Sequence, residues 1–242
     1  MRGAFATAIA VLSLVAGASA PPAALGTTLA APSVAVTRPH VVWRPIPFSA
    51  RRKAEMAAYS LRHYGTSTWA LTDPKVIVEH YTAGMTFRGA WNTFASNAPH
   101  NGELPGTCAH FVIDRDGTIY QLVPLGTRCR HAVGMNYTAI GIEHVGTSDA
   151  MVLGDRPQMR SSLRLTLWLM RMFHVDIGNV IGHNETLYSP SRHELVPSWR
   201  CLVHADFPHW AMHEYRTRLR ALARADGVGV GAGPHWANVY GC

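Results

Sequence analysis

The sequence predicts a single α/β domain, a central mixed β-sheet flanked by helices, and three observations carry that reading. Short β-rich runs at 75–80, 138–146 and 180–185 alternate with segments of helical periodicity. One stretch, "CAHFVIDRDGTIYQLV" at 108–123, has the form of a hairpin. Beyond the N-terminal segment roughly two hundred residues remain, enough for one domain with a sizeable core.

The elements follow in order. Residues 1–20 read as a secretory signal peptide: Arg2 supplies the positive start, 4–16 are apolar but too short for a membrane span, and Ala18-Ser19-Ala20 is a small-residue cleavage site. Residues 21–45, rich in Ala, Pro and Thr, read as a disordered leader. The domain is expected over 46–225, with 226–242 as a C-terminal tail. Arg51 to Tyr64 forms a helix with a partial apolar face from Met56 and Tyr59, and Gly65 ends it. Val76, Ile77 and Val78 are β-branched and suit a packed strand. Arg88 to Asn97 is a helix, with Trp91 and Phe94 on one face. In the hairpin, Gly117 takes the positive φ that the turn after Asp114-Arg115-Asp116 needs. "TAIGIEHVG" is a further strand, Leu163 to Phe173 a buried helix, and "VIGHNE" a short strand ending on His183. Residues 184–207 lack periodicity, and a loop of that length is usually functional. Pro208 opens a last helix, in which Met212, Tyr215, Leu219 and Leu222 fall at helical spacing.

The four cysteines, in a chain expected to be exported, point to disulfides. Cys108–Cys129 is the favoured pair because the two flank the hairpin, which leaves Cys201–Cys242. The absence of any CxxC pair argues against a cysteine zinc site. A formal charge of +7 suits an anionic partner, yet no basic run interleaved with aromatics marks a nucleic-acid strip, so nucleic acid is not expected. No membrane span is expected after signal cleavage, and a monomer is.

Two strands end on histidines, His80 in "VEHYTAG" and His183 in "VIGHNE". Strand ends of one sheet can bring distant positions together. Imidazole and carboxylate ligands suit zinc, with three protein ligands leaving one position open. On the residues alone the third ligand stays open among His193, Glu194, His204 and Asp206. "HELVP" at 193–197 is not HExxH, because its second histidine is missing.

The blocks "EHYTAG", "AHFVIDRDGTIYQLVPLGTRCRHAVG", "AIGIEHVG", "VIGHNE" and "HADF" occur in the order found in type-2 N-acetylmuramoyl-L-alanine amidases, and the chain resembles that family, which includes the peptidoglycan recognition proteins. The resemblance runs from about residue 72 to 222. It implies a zinc cleft at the strand ends of a mixed sheet, Zn2+ as cofactor, peptidoglycan as partner and a place outside the cell or in its wall. Carried over by residue, it makes His80, His183 and Asp206 the metal ligands and Glu143 the acid–base group. His204 stands where the family usually has Lys and is expected to stabilise the oxyanion. His131 matches a position beside the substrate cleft. The recognition proteins' catalytic Tyr is Ala109 here, and 184–203 look like an insertion. The reaction implied is hydrolysis of the amide between N-acetylmuramic acid and L-alanine; the alternative is muropeptide binding without cleavage. His110 and His144 are expected to be structural and Glu185 a local hydrogen-bond acceptor, while His63, His174, His209, His213 and His235 receive no role.

Overall fold

The structure, a computed structural model, describes Met1, Gly3, Ala4 and residues 36–242. Apart from those three residues, the expected signal segment lies outside the described part, as do residues 21–35 of the leader. Six strands form one mixed sheet in the order β1-β4-β3-β5-β2-β6. The strands are β1 (Val42–Trp43), β2 (Val76–Tyr81), β3 (Phe111–Ile113), β4 (Ile119–Gln121), β5 (Ala139–His144) and β6 (Val180–Gly182). The helices are α1 (Ala50–Tyr64), α2 (Phe87–Ala95), α3 (Asp149–Gly154), α4 (Arg156–Phe173) and α5 (His209–Ala225). β3, β5, β2 and β6 run parallel, and the hairpin supplies the antiparallel step from β3 to β4.

β2 and β5 are buried on both faces, as parallel central strands are, and side-chain alternation divides their residues between two layers. Ile77 faces a core that includes Ile140, Ile142, Leu165, Leu169, Tyr215 and Leu219, so α4 and α5 cover that side. Val76 and Val78 face the opposite side, with Ala132, Met135 and Ile181. His80 belongs by alternation to this second face and Glu79 to the first. The parallel arrangement brings the C-terminal ends of β2, β5 and β6 to one edge, the place where such sheets carry their sites.

Several boundaries differ from expectation. The sheet takes in Val42–Trp43, and Arg44 and Ile46 donate backbone N–H groups to Gln121 and Leu122 (both 3.0 Å), so ordered chain begins inside the stretch assigned to the leader. The tail is also tied down. Ile177 and Gly178 donate to Val230 and Ala232 (2.8 and 2.9 Å), and Cys242 pairs with Cys201. Both disulfides, Cys108–Cys129 and Cys201–Cys242, are formed. α4 starts seven residues before Leu163, at Arg156, because the Asp155 side chain caps it by accepting from Gln158 N–H and Pro157 sits in its first turn. The short α3 was not foreseen; Ser148 caps it in the same way. β6 ends at Gly182, and His183 already has helical dihedrals, opening a 3₁₀ turn over Asn184–Tyr188.

Candidate metal centre and cleft

His80 is the next-to-last residue of β2 and lies directly opposite Glu143 in the β2–β5 register. His183 follows β6, and Asp206 comes from the far end of the 184–207 segment. The three potential ligands converge: His80 Nδ1 lies 3.0 Å from His183 Nδ1 and 3.3 Å from Asp206 Oδ2, and His183 Nδ1 lies 3.2 Å from Asp206 Oδ1. All three residues are buried, and their donor atoms lie within 4.8 Å of one another. Two imidazole nitrogens and a carboxylate are a donor set that suits a borderline divalent cation such as zinc. Neither His193 nor Glu194 joins this group. His193 is fixed by its N–H to Gly134 O (2.9 Å), and Glu194 binds His63.

Two glycines make the convergence sterically feasible. A Cβ on Gly182 would lie 1.8 Å from Phe207 O, so only glycine lets the segment bearing Asp206 close on β6. A Cβ on Gly141 would lie 2.7 Å from His131 Cγ, so this glycine leaves room for the His131 ring. His131 has both ring nitrogens engaged. Nε2 is 3.3 Å from Ala139 O, a pure acceptor, and so carries the proton; Nδ1 then accepts from His80 Nε2–H at 3.1 Å. This chain leaves the lone pair of His80 Nδ1 facing His183 and Asp206. The His131 ring, expected beside the substrate cleft, lines that cleft, and both of its nitrogens are engaged within the protein.

On the other face of the sheet, His144 Nδ1–H donates to His80 O (2.7 Å). Its Nε2 meets Ser162 Oγ (2.7 Å), which reaches Tyr215 Oη (2.7 Å). Thr166 links Tyr215 to Glu79, whose carboxyl burial pushes up to about 8. His110 bridges strands by donating to Thr127 O and accepting from Gly141 N–H. Both histidines thus have the structural surroundings expected of them. Ala109 is fully buried beside Cys108 and Cys129.

The cleft has a volume of about 180 Å³, and Glu143, His131, His204, Asn136, Arg130 and His100 line it together with the three convergent residues. Among the described residues, the buried Glu143 Oε2 has no hydrogen-bond partner. Burial, and then the Asp206 carboxylate, push Glu143 up to about 8, toward the range of a base working near neutral pH. Asp206 lies far below the usual carboxylate range: its contacts with His183 and His80 outweigh a desolvation that pulls the other way. His204 stacks on His183 at 4.8 Å with the rings 8° from parallel. Burial, and then His183, lower the His204 pKa.

Arginines hold the two walls of the cleft, and sequence patterning gave no sign of it. Arg130 donates to the carbonyls of His100, Glu103 and Pro105 (2.7, 2.7 and 2.9 Å). Arg192 donates to those of Val133, Arg200 and Leu202 (3.0, 2.9 and 2.9 Å). His63 lies between the walls, with Nδ1 2.8 Å from Glu194 and Nε2 3.0 Å from Glu103. Glu185, foreseen as a local acceptor, takes two hydrogen bonds from Arg216 (2.7 and 2.8 Å) as well as one from Gly182 N–H (3.2 Å).

Residues 70–194 match the family model Amidase_2, N-acetylmuramoyl-L-alanine amidase, over more than half of the chain, and the chain belongs to that family. No curated protein matches it. Solved structures similar to it include the endolysin N-acetylmuramoyl-L-alanine amidase LysCS from Clostridium intestinale URNW, at 24% identity and TM-score 0.44, covering 61% of this chain and 83% of that one. LysC of the same organism matches at 19% identity and TM-score 0.44, covering 75% and 98%. A human peptidoglycan recognition protein bound to a glycosamyl muramyl pentapeptide matches at 18% and TM-score 0.39, covering 47% and 74%.

Proposed function

We propose that this chain hydrolyses the amide bond between the lactyl group of N-acetylmuramic acid and L-alanine in peptidoglycan, using zinc held by His80, His183 and Asp206. One observation carries the reading. Three donors of the right chemistry meet at the floor of a cleft in which a buried carboxylate, Glu143, has an oxygen with no partner among the described residues. When bound, the metal supplies positive charge that makes water acidic at neutral pH and polarises the scissile carbonyl. Glu143 accepts the proton as the water oxygen adds to the carbonyl carbon. The same carboxyl returns it to the nitrogen as the C–N bond breaks, so that L-alanine leaves as an amine. The His204 N–H hydrogen-bonds to the carbonyl oxygen as charge develops there. His131 contributes by holding His80 in the tautomer that presents Nδ1 to the metal, a supporting role of known consequence in metal sites.

The second reading, muropeptide recognition without cleavage, has the weaker support, since the full His/His/Asp set and Glu143 are all present. Incubating the purified protein with a soluble muramyl-peptide and assaying for the free peptide separates the two. Release that stops on chelation and returns with zinc supports hydrolysis, whereas tight binding with intact substrate overturns it. Export to the cell wall, as a monomer and after removal of residues 1–20, completes the proposal; N-terminal sequencing of protein from the medium should begin at Pro21. Among the described residues no helix is long and apolar enough to cross a membrane.

A further inference from the structure

Next to the cleft lies a second depression of about 320 Å³ that shares no residue with it, lined by Asn184, Glu185, Tyr188, His209 and Trp236. That volume falls within the range of small-molecule sites. Trp236 comes from the C-terminal tail, beyond the part of the chain that matches the family. Several contacts seat it: Ala237 N–H donates to Tyr188 O (2.8 Å), the His209 ring meets the indole edge-on at 5.7 Å, and the Arg216 guanidinium lies 5.6 Å from the indole. The charge inside the depression is already spent. Both oxygens of Glu185 are taken by Arg216, and Oε1 also meets His209 Nδ1 at 3.0 Å. What remains for a ligand is two exposed aromatic rings, Trp236 at 36% and Tyr188 at 43%, the exposed His209 ring beyond its engaged Nδ1, and the side-chain oxygen of Asn184. Each charged group in the pocket wall already has an ionic partner. A neutral ring with apolar C–H faces and outward hydroxyls matches both kinds of surface, because aromatic faces take the C–H groups and amides take the hydroxyls.

We propose that this depression is a carbohydrate subsite that holds an uncharged N-acetylhexosamine ring of a glycan strand. The segment that carries it is continuous with the cleft. Asn184 follows His183, its N–H donates to Asp206 O (2.9 Å), and its side-chain amide donates to His204 O (3.1 Å). A polymer seated on Trp236 and Tyr188 therefore lies beside the residues that act on its peptide. The identity of that polymer as peptidoglycan rests on the function proposed above; the sugar chemistry does not.

The test uses the β-1,4-linked tetramer of N-acetylglucosamine, which has no peptide to engage the cleft, titrated into the full chain by calorimetry. The expected result is saturable binding that weakens about tenfold or more in Trp236→Ala and measurably in Tyr188→Ala, and is unchanged in Glu143→Gln. Trp236→Ala should cleave a soluble muramyl-peptide at the wild-type rate while losing activity on intact wall polymer several-fold. If Trp236→Ala fails to fold, Trp236→Phe and Tyr188→Ala carry the same comparison. Absence of tetramer binding, or equal binding by wild type and the aromatic variants, overturns the proposal. The two readings fail separately. Tetramer binding that depends on Trp236 in a protein that never cleaves muramyl-peptide sinks the amidase and keeps the subsite, and the converse result does the opposite.

Discussion

The two halves of the candidate metal centre are built by different physics. His80 and Glu143 sit on neighbouring parallel strands in an unbroken register of six residue pairs, from Val76↔Ala139 to Tyr81↔His144, so backbone hydrogen bonds alone set their separation. His183 and Asp206 lie at the two ends of a segment with only short 3₁₀ turns. Isolated backbone bonds and side chains hold it rather than a ladder: Asn184 N–H to Asp206 O, Arg192 to three carbonyls, Arg216 to Glu185, His63 to Glu194, and a disulfide to the chain end. The difference teaches that a precise site can rest half on a ladder and half on guanidinium groups that satisfy otherwise unpaired loop carbonyls. The ladder half has little freedom to move. The other half depends on a few side chains, each of which can be removed singly.

That contrast can be broken from either side, beginning with the largest expected effect. Glu143→Gln keeps the ladder and the shape while removing the proton acceptor, so turnover should fall by roughly 10²–10⁴ with bound zinc unchanged by metal analysis. Arg216→Leu acts on the other half. It strands a buried Glu185 carboxylate and should cost about 3–5 kcal/mol in urea unfolding, because breaking one partner of a buried pair leaves an uncompensated charge. A loss under 1 kcal/mol would show that the segment stands without that pair. Replacing Cys201 and Cys242 together by Ser opens a loop with a sequence separation of 41 and should lower stability by about 2–4 kcal/mol, measured by the same unfolding. His131→Phe fills the ring's place without its nitrogens. Zinc affinity, read by competition with a chelating dye, should drop by about 10- to 100-fold while the circular dichroism of the sheet stays as it was. Unchanged affinity would return His131 to the substrate-contact role expected from the sequence.

The ladder half was legible in the sequence for the same reason that it is rigid. β-branched runs report burial on both faces, and the hairpin turn at Gly117 reports the one antiparallel step, so the sheet and the strand-end position of His80 could be read from local patterns. Asp206 was reached only through resemblance, since nothing periodic leads to it. Arg130, Arg192 and Arg216 drew no role, because a guanidinium buried among carbonyls leaves no mark on sequence periodicity. His63 and His209 likewise drew no role, yet the first bridges the two walls and the second borders the aromatic depression. The early start of α4 was hidden because residues 156–162 are mostly polar, and there the caps at Asp155 and Pro157 were the stronger signal. The leader and tail boundaries shifted because compositional bias says nothing about the backbone pairing that Val42, Val230 and Ala232 make.

The arrangement of β2 between β5 and β6 also fixes when, during folding, the cluster of ligands can come into being. His80 is 64 residues from His144 and 103 residues from His183, so neither pairing closes a short loop. Contacts at such separations are slow to form, because the entropy of closure must be met before any pairing rewards it. Until both neighbours have docked on β2, only scattered single ligands exist. On the function proposed above, metal capture would therefore be a late event that reports on a completed topology, and refolding rates followed by tryptophan fluorescence should be the same with and without zinc.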